Sequence, residues 1–308
     1  MPALTINVGV LQRICDVNQF TLPDAELIFI GIRGCIPVNF QDQQFKAAQP
    51  LSGMDINYTN PRCTLLQWRK SDDKIAAFPG STVPHISIIR NAKDSNGIGA
   101  NCLFTGFYTD YRKGFHKGGT ATGHEAFRQN AVHPIRRTID DLDYDQDDRV
   151  EYDNPNDNIH CGWFGSISSE YYASAGCQVI MGYHKCKKQG RTENSGPWKI
   201  FHDNAYALQE DSFPYILVNG LEAMNICNNM NKKLPAKLRF GSSGASVKEL
   251  QKALKDKDSY EGTIDGNFDE RTMKGVMAFQ KLKYGKEGAD GIVGMITAAD
   301  LGITLPAV

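Results

Sequence analysis

The sequence has little that would attach it to a membrane or to nucleic acid. Apolar runs such as Leu27 to Ile32 are far shorter than the roughly 18 residues of a membrane-spanning helix. Lysine and arginine number 34 against 35 aspartates and glutamates, a net charge of −1, so no basic field exists to draw a phosphate backbone. The first basic residue is Arg13, and Met1 to Asp16 carries no charged start followed by an apolar stretch. The expectation is a soluble chain made in the cytoplasm without a Sec signal. With no such signal, the eight cysteines read as free, mostly buried thiols rather than four disulfides. No His-Glu-x-x-His pair occurs among the seven histidines, which removes the commonest helical zinc motif.

Cysteine and tryptophan are also missing from the last 81 residues, although eight and three occur before Asn228. That shift marks a boundary. The polar stretch 228–237, ending near Pro235, suits a linker. Before it, short runs rich in Ile, Val, Phe and Tyr lie between Gly, Pro, Asn and Asp: Leu27 to Ile32, Thr64 to Trp68, His85 to Ile89, Cys102 to Tyr108, Gln178 to Gly182 and Phe213 to Val218. They predict many strands, with helices over Asn7 to Val17 and Ile200 to Gln209. Beyond the linker, Ser246-Val247-Lys248-Glu249 has the form of a capping box opening a helix, and further helices are expected from about Glu270 and near Met295 to Asp300.

Within that last segment Asp265-Gly266-Asn267-Phe268 followed by Thr272 recurs as Asp290-Gly291-Ile292-Val293 followed by Thr297. Each Asp-Gly is a turn leading into a helix. Taken with Leu238, Gly241, Gly244, Val247, Leu250-Gln251, Leu254, Val276, Phe279-Gln280, Gly294 and Leu301, the pattern over 238–304 resembles the peptidoglycan-binding type 1 domain. The resemblance implies three helices that hold wall glycan or stem peptide in a shallow groove, with Asp265, Gly266, Phe268, Asp290 and Gly291 as candidate wall-binding residues. Ten basic and ten acidic residues over this stretch argue against a purely electrostatic attraction.

Upstream, Asn158-Ile159-His160-Cys161-Gly162-Trp163 precedes Ser174-Ala175-Gly176-Cys177-Gln178. A thiol attacks only as thiolate, so it needs an imidazole and electropositive amides nearby. Gly176 offers backbone without a Cβ next to Cys177, and His160 can reach the thiol if two strand ends meet. Read alone, Cys177 is better explained as a buried apolar filler and His160 as a satisfied structural residue. His160, Ser174, Gly176 and Cys177 together resemble the L,D-transpeptidase motif, with Ala175 in place of its second histidine. Pro79-Gly80-Ser81-Thr82 and Thr105-Gly106-Phe107-Tyr108 are similar to that family's early turn and strand, so the resemblance spans roughly 60–220. It implies Cys177 as nucleophile, His160 as base, the Gly176 and Cys177 amides as oxyanion donors, and a thioester with a peptidoglycan stem peptide.

His116, Lys117 and Arg128 are candidates for binding stem-peptide carboxylates, with Tyr108 and Trp163 lining the cleft. Asp143, Asp145 and Asp147 alternate as in a calcium loop, although nine acidic residues between Asp140 and Asp157 read more readily as a solvated loop. No cofactor is required, and Ca2+ is the ion that loop would suit. The sequence thus implies an α+β chain: an α/β element over 1–58, a mostly β L,D-transpeptidase-like domain over 59–227, and a C-terminal three-helix bundle over 238–308. The expected function is wall lysis or modification, as in endolysins or antibacterial effectors, after release or injection to the wall. The alternatives are a zinc-dependent peptidoglycan amidase or peptidase and a non-catalytic wall binder.

Overall fold

A computed structural model describes residues 3–95, 99–138, 144–145 and 148–308. The chain opens with β1 (Ala3–Asn7), α1 (Val8–Asn18), β2 (Leu27–Arg33), β3 (Cys35–Pro37) and β4 (Ala48–Gly53). Next come β5 (Cys63–Arg69), β6 (Lys74–Ser81), α2 (Ile86–Asp94), β7 (Ala100–Leu103), β8 (Gly106–His116) and β9 (His124–Arg128). β10 (His133–Thr138), β11 (Arg149–Asp153), β12 (Ile159–Cys161), β13 (Gln178–Ile180), α3 (Pro197–Tyr206), β14 (Ser212–Asn219) and α4 (Gly220–Asn228) complete the β-rich part. Three helices follow: α5 (Ala245–Asp256), α6 (Glu270–Tyr284) and α7 (Met295–Leu301). No helix among the described residues is long and apolar enough to cross a membrane.

Eight strands close into a barrel in the order β12-β13-β6-β5-β2-β14-β8-β9. β2 explains why its sequence is continuously apolar rather than alternating: both of its faces are buried, which removes the polar positions of a one-sided strand. Leu27 and Phe29 join an aromatic core with Phe78, Phe127, Phe201 and Phe213, in which the Phe29 ring lies 4.9 Å from both Phe127 and Phe213. Ile28, Ile30 and Ile32 face a second core with Val10 and Ile14 of α1 and Ala223 and Ile226 of α4. Each such side chain contributes about 1.5–3 kcal/mol by leaving water. β1, β4 and β3 form a separate sheet over that second core.

The C-terminal helices form their own core around Leu250, Leu254, Val276 and Phe279. Its turns repeat. Gln251 Nε2 donates to Asp265, the Asn267 carbonyl and Thr272 while its Oε1 accepts from the Gly266 amide; Gln280 does the same with Asp290, Ile292, Thr297 and Gly291. The unit docks on the barrel where Phe107 donates to the Phe240 carbonyl at 3.0 Å. At Gly241, φ is +90°, and a Cβ would lie 2.4 Å from the Phe107 carbonyl, so only glycine lets the two backbones approach. Arg239, 2% exposed, pairs with Glu222 of α4 at 2.9 Å.

Several expectations need correction. The run His85 to Ile89 is not a strand: His85 accepts from the Ser87 amide and caps α2. Cys102 to Tyr108 divides between β7 and β8, which belong to different sheets. Residues 1–58 are not a separate element, because β2 pairs with β14 and β5 inside the barrel. The stretch 228–237 is no free linker; Leu234 and Ala236 donate to the carbonyls of Val308 and Pro306. Ser246 does not cap α5, whose N-cap is Gly244, whereas Asp269 caps α6 by accepting from the Thr272 amide.

Removing one partner of a buried ion pair strands the other charge at a cost of about 3–5 kcal/mol. Glu222→Ala is therefore expected to lower stability by about that amount in urea unfolding, and a change under about 0.5 kcal/mol would show that the pair is not desolvated.

Candidate functional site

The site forms where two three-residue strands run side by side. β12 and β13 pair in parallel, with Ile159 opposite Gln178 and His160 opposite Val179, which sets Cys177 one residue beyond the ladder and beside His160. β9 flanks β12 through Ile159 and Phe127, and the β8–β9 hairpin pairs His116 with His124. These strands bring His116, His160 and Cys177 together: one donor atom from each lies within 4.8 Å of the others. The His116 and His160 rings stack at 4.1 Å.

The loop bearing Cys177 is held from both sides. Ser174 Oγ donates to the Cys177 carbonyl at 2.7 Å and accepts from the Gly176 amide at 3.2 Å, so Ser174 is a positioning residue. That second bond corrects the expected oxyanion pair, since the Gly176 amide is already used. Gly176 has φ +143°, and a Cβ there would lie 2.0 Å from Asn101 Nδ2 and 2.6 Å from Asp157 Oδ1. Asn101 donates to the Asp157 carboxylate and its own amide donates to the Ala175 carbonyl. Gln178 donates to the Gly176 carbonyl and accepts from Tyr215, tying the loop to the barrel interior.

Hydrogen bonds fix the imidazole tautomers, because a carbonyl can only accept. His160 Nδ1 donates to the Cys161 carbonyl at 2.7 Å, leaving Nε2 with the lone pair; that Nε2 is buried and has no partner. Asn158 Oδ1 accepts from the Gln129 amide, so its Nδ2 donates to His116 Nδ1 at 3.0 Å, and neutral His116 carries its proton on Nε2. Burial, reinforced by the His116 and His124 rings, holds His160 well below the usual imidazole range. Burial and the Lys117 and Arg128 charges lower His116 to about 4. Burial and then Asp157 push the Cys177 thiol far up, while the Asn158 amide and Lys117 pull the other way. The resting pair is thus neutral thiol and neutral imidazole. Cys177 is 7% exposed and its sulfur lies 3.5 Å from the Asn156 carbonyl.

The remaining candidates separate. Lys117 and Arg128 are exposed at the rim, and Arg128 donates to Asn156 at 3.1 Å. Trp163 is half-buried against His184, ring centroids 4.5 Å apart. Tyr108 is not a cleft residue: it is 1% exposed, its hydroxyl donates to the Phe104 carbonyl at 2.6 Å, and it packs on His133 and Phe240. In the C-terminal unit Phe268 is core. Asp265 and Asp290 each accept from the amide two residues on as well as from Gln251 and Gln280, and the Gly266 and Gly291 amides are used by the same glutamines. Asp265, Gly266, Asp290 and Gly291 thus build the turns. Asp143 and Asp147 lie outside the described residues; the Asp145 amide donates to Asp148 and its carbonyl accepts from Arg136. Sequence reasoning missed His124, His184, Asn101 and Asp157. The placement of His116 and His124 at the two ends of a Gly-rich hairpin was the only sign of the first.

A further groove lies elsewhere. About 1120 Å³ in volume, it lies between the barrel and the C-terminal helices, lined among others by Arg33, Leu221, Tyr284, Asp290 and Ile296, and holds none of the thiol chemistry. Residues 243–301 match the family model described as a putative peptidoglycan binding domain. The chain therefore carries a peptidoglycan-binding domain, with peptidoglycan as the partner that domain implies. No curated protein and no solved structure matches the chain.

Gly176→Ala forces both strain and a clash, and is expected to cost about 2–4 kcal/mol in chemical denaturation; a neutral effect would mean that the loop is not held as described. The histidines predict acid sensitivity. A neutral imidazole favoured by the fold, at about 4 for His116 and about 3 for His124, contributes stability that is present above 6.5 and lost as pH falls through those values. Asp157, raised to about 7 by burial, acts oppositely, its contribution being lost as pH rises from about 3.8 through 7. With more histidines than acids involved, the melting temperature should fall between pH 6.5 and 4, each histidine adding up to about 1.4 kcal/mol per pH unit. His124→Gln should flatten the slope, and an unchanged slope would contradict the assignment.

Proposed function

We propose that the chain is a wall-targeted cysteine enzyme that acts on peptidoglycan stem peptides through a Cys177 thioester. The observation that carries this reading is the convergence of Cys177, His160 and His116, with His160 turned by the Cys161 carbonyl so that its free nitrogen is a base. That carbonyl does for His160 what a third group does in nucleophile–base–orienter arrangements generally.

Because the resting pair is neutral, the thiol proton passes to His160 as sulfur attacks the stem-peptide carbonyl, and not beforehand. The C–S bond forms and the carbonyl oxygen takes the negative charge. The Cys177 amide and the Nε2–H of His116 are the donors for that oxyanion, His116 standing in for the Gly176 amide. His160 then gives the proton to the departing amine as the C–N bond breaks, which leaves a thioester. An amine resolves it to a new cross-link or exchange product, and water resolves it to a cut peptide. Lys117 and Arg128 at the rim offer cations to the peptide carboxylates. Action at the wall, lytic or modifying, fits a chain whose other domain binds peptidoglycan.

The cluster of His and Cys donors also favours, as a second reading, a zinc-dependent amidase or peptidase. Mass spectrometry of muropeptides after incubation with purified protein separates the two. The cysteine reading expects lost D-alanine, new cross-links or cut cross-links with wild type, about 1000-fold less product with Cys177→Ala or His160→Gln, and full activity in chelator. Full activity in Cys177→Ala, or loss of activity in chelator, would overturn it.

A further inference from the structure

We infer that the chain holds a zinc site beside the thiol, made by Cys161, His124 and His160, and that the bound ion switches the Cys177 chemistry off. Its silencing role rests on His160 as the base; the site itself does not. One donor atom from each of the three residues lies within 4.8 Å of the others, and all three residues are buried. Cys161 Sγ and His124 Nε2 are 3.7 Å apart, close to the ~3.6 Å edge of a tetrahedron with ordinary Zn–S and Zn–N bonds. His124 Nδ1 donates to the Thr122 carbonyl at 2.9 Å, as His160 Nδ1 does to that of Cys161. Imidazoles tied to a carbonyl in this way present the other nitrogen as a ligand.

The independent sign is a pair of buried nitrogens with nothing to bond. His160 Nε2 and His184 Nε2 are both unpartnered, in residues 2% and 1% exposed. His184 also ties Nδ1 to a carbonyl, that of Lys185, and stacks on His124 at 4.1 Å. A buried polar atom without a partner is disfavoured unless a ligand completes it. Thiolate with imidazoles in tetrahedral reach selects Zn2+ over harder cations. On binding, the Cys161 proton goes to solvent and a Zn–S bond forms; the ion takes the His160 lone pair, so the base that would accept the Cys177 proton is lost. No redox step is involved.

The test uses the full chain, stripped with chelator and then titrated with zinc sulfate against a chromophoric chelator. Wild type is expected to bind one Zn2+ with Kd of about 1 µM or tighter, Cys161→Ser and His124→Gln to bind about 100-fold more weakly, and Cys177→Ser to bind within a fewfold of wild type. Cobalt substitution of wild type should give a thiolate-to-cobalt band in the near ultraviolet, a readout that needs no variant. No binding by wild type, or loss in Cys177→Ser with retention in Cys161→Ser, would overturn the site. Muropeptide turnover, each protein compared with itself before and after zinc, should fall at least tenfold in wild type and return with chelator; turnover raised by zinc would overturn the switch. If the protein turns over no muropeptide at all, the cysteine-enzyme reading fails while the zinc titration still decides the site.

Discussion

The site depends on one short parallel ladder. β12 and β13 contribute three residues each, yet they carry the two groups that matter, His160 within one strand and Cys177 at the mouth of the other. Parallel neighbours need a crossover, here the stretch 162–177, and the end of that crossover is the loop fixed by Ser174, Gly176, Asn101 and Asp157. Move the ladder by one residue and His160 turns to the opposite face. The barrel supplies the rigidity that prevents this, with β6 pairing to β13 and β9 to β12.

Burial then sets the chemistry. Four imidazoles, those of His116, His124, His160 and His184, pack together in one region, His116 stacked on His160, His184 on His124, and His124 edge-on to His160, and desolvation favours the neutral form of each. The same burial keeps Cys177 protonated. A thiol that idles in the neutral state is protected from stray oxidation and alkylation, and in the proposed reaction its proton transfer is coupled to attack. Neutral imidazoles are also the form that metals prefer, so one electrostatic condition serves the proposed base and the proposed zinc site alike.

How much was legible in the sequence follows from the range of each interaction. The C-terminal unit was readable because its signals are local: Asp-Gly turns and helix-spaced apolar residues lie within a few residues of one another. The buried glutamines that tie its turns, Gln251 and Gln280, stood in the pattern, but their role came from contacts up to 21 residues away. β2 was visible as an apolar run, whereas its place in the barrel was not, since its partner β14 lies far along the chain. His85 to Ile89 went wrong because a five-residue apolar run has no periodicity long enough to decide. Cys177 and His160 were singled out through a motif; His124 and His184 were not, because nothing local links residues 124, 160 and 184.

The C-terminal domain matches the peptidoglycan-binding family, and the Arg239–Glu222 pair with the Phe240–Phe107 contact holds that domain against the barrel. The proposed chemistry and the peptidoglycan-binding domain are thus parts of one packed body. The most direct measurement is the intact mass of the protein quenched in acid during incubation with a tetrapeptide stem ending in D-alanine. The account predicts one acyl adduct, the stem less D-alanine, mapped by peptide digestion to Cys177. An adduct on another cysteine, or none while the stem peptide is consumed, would contradict it.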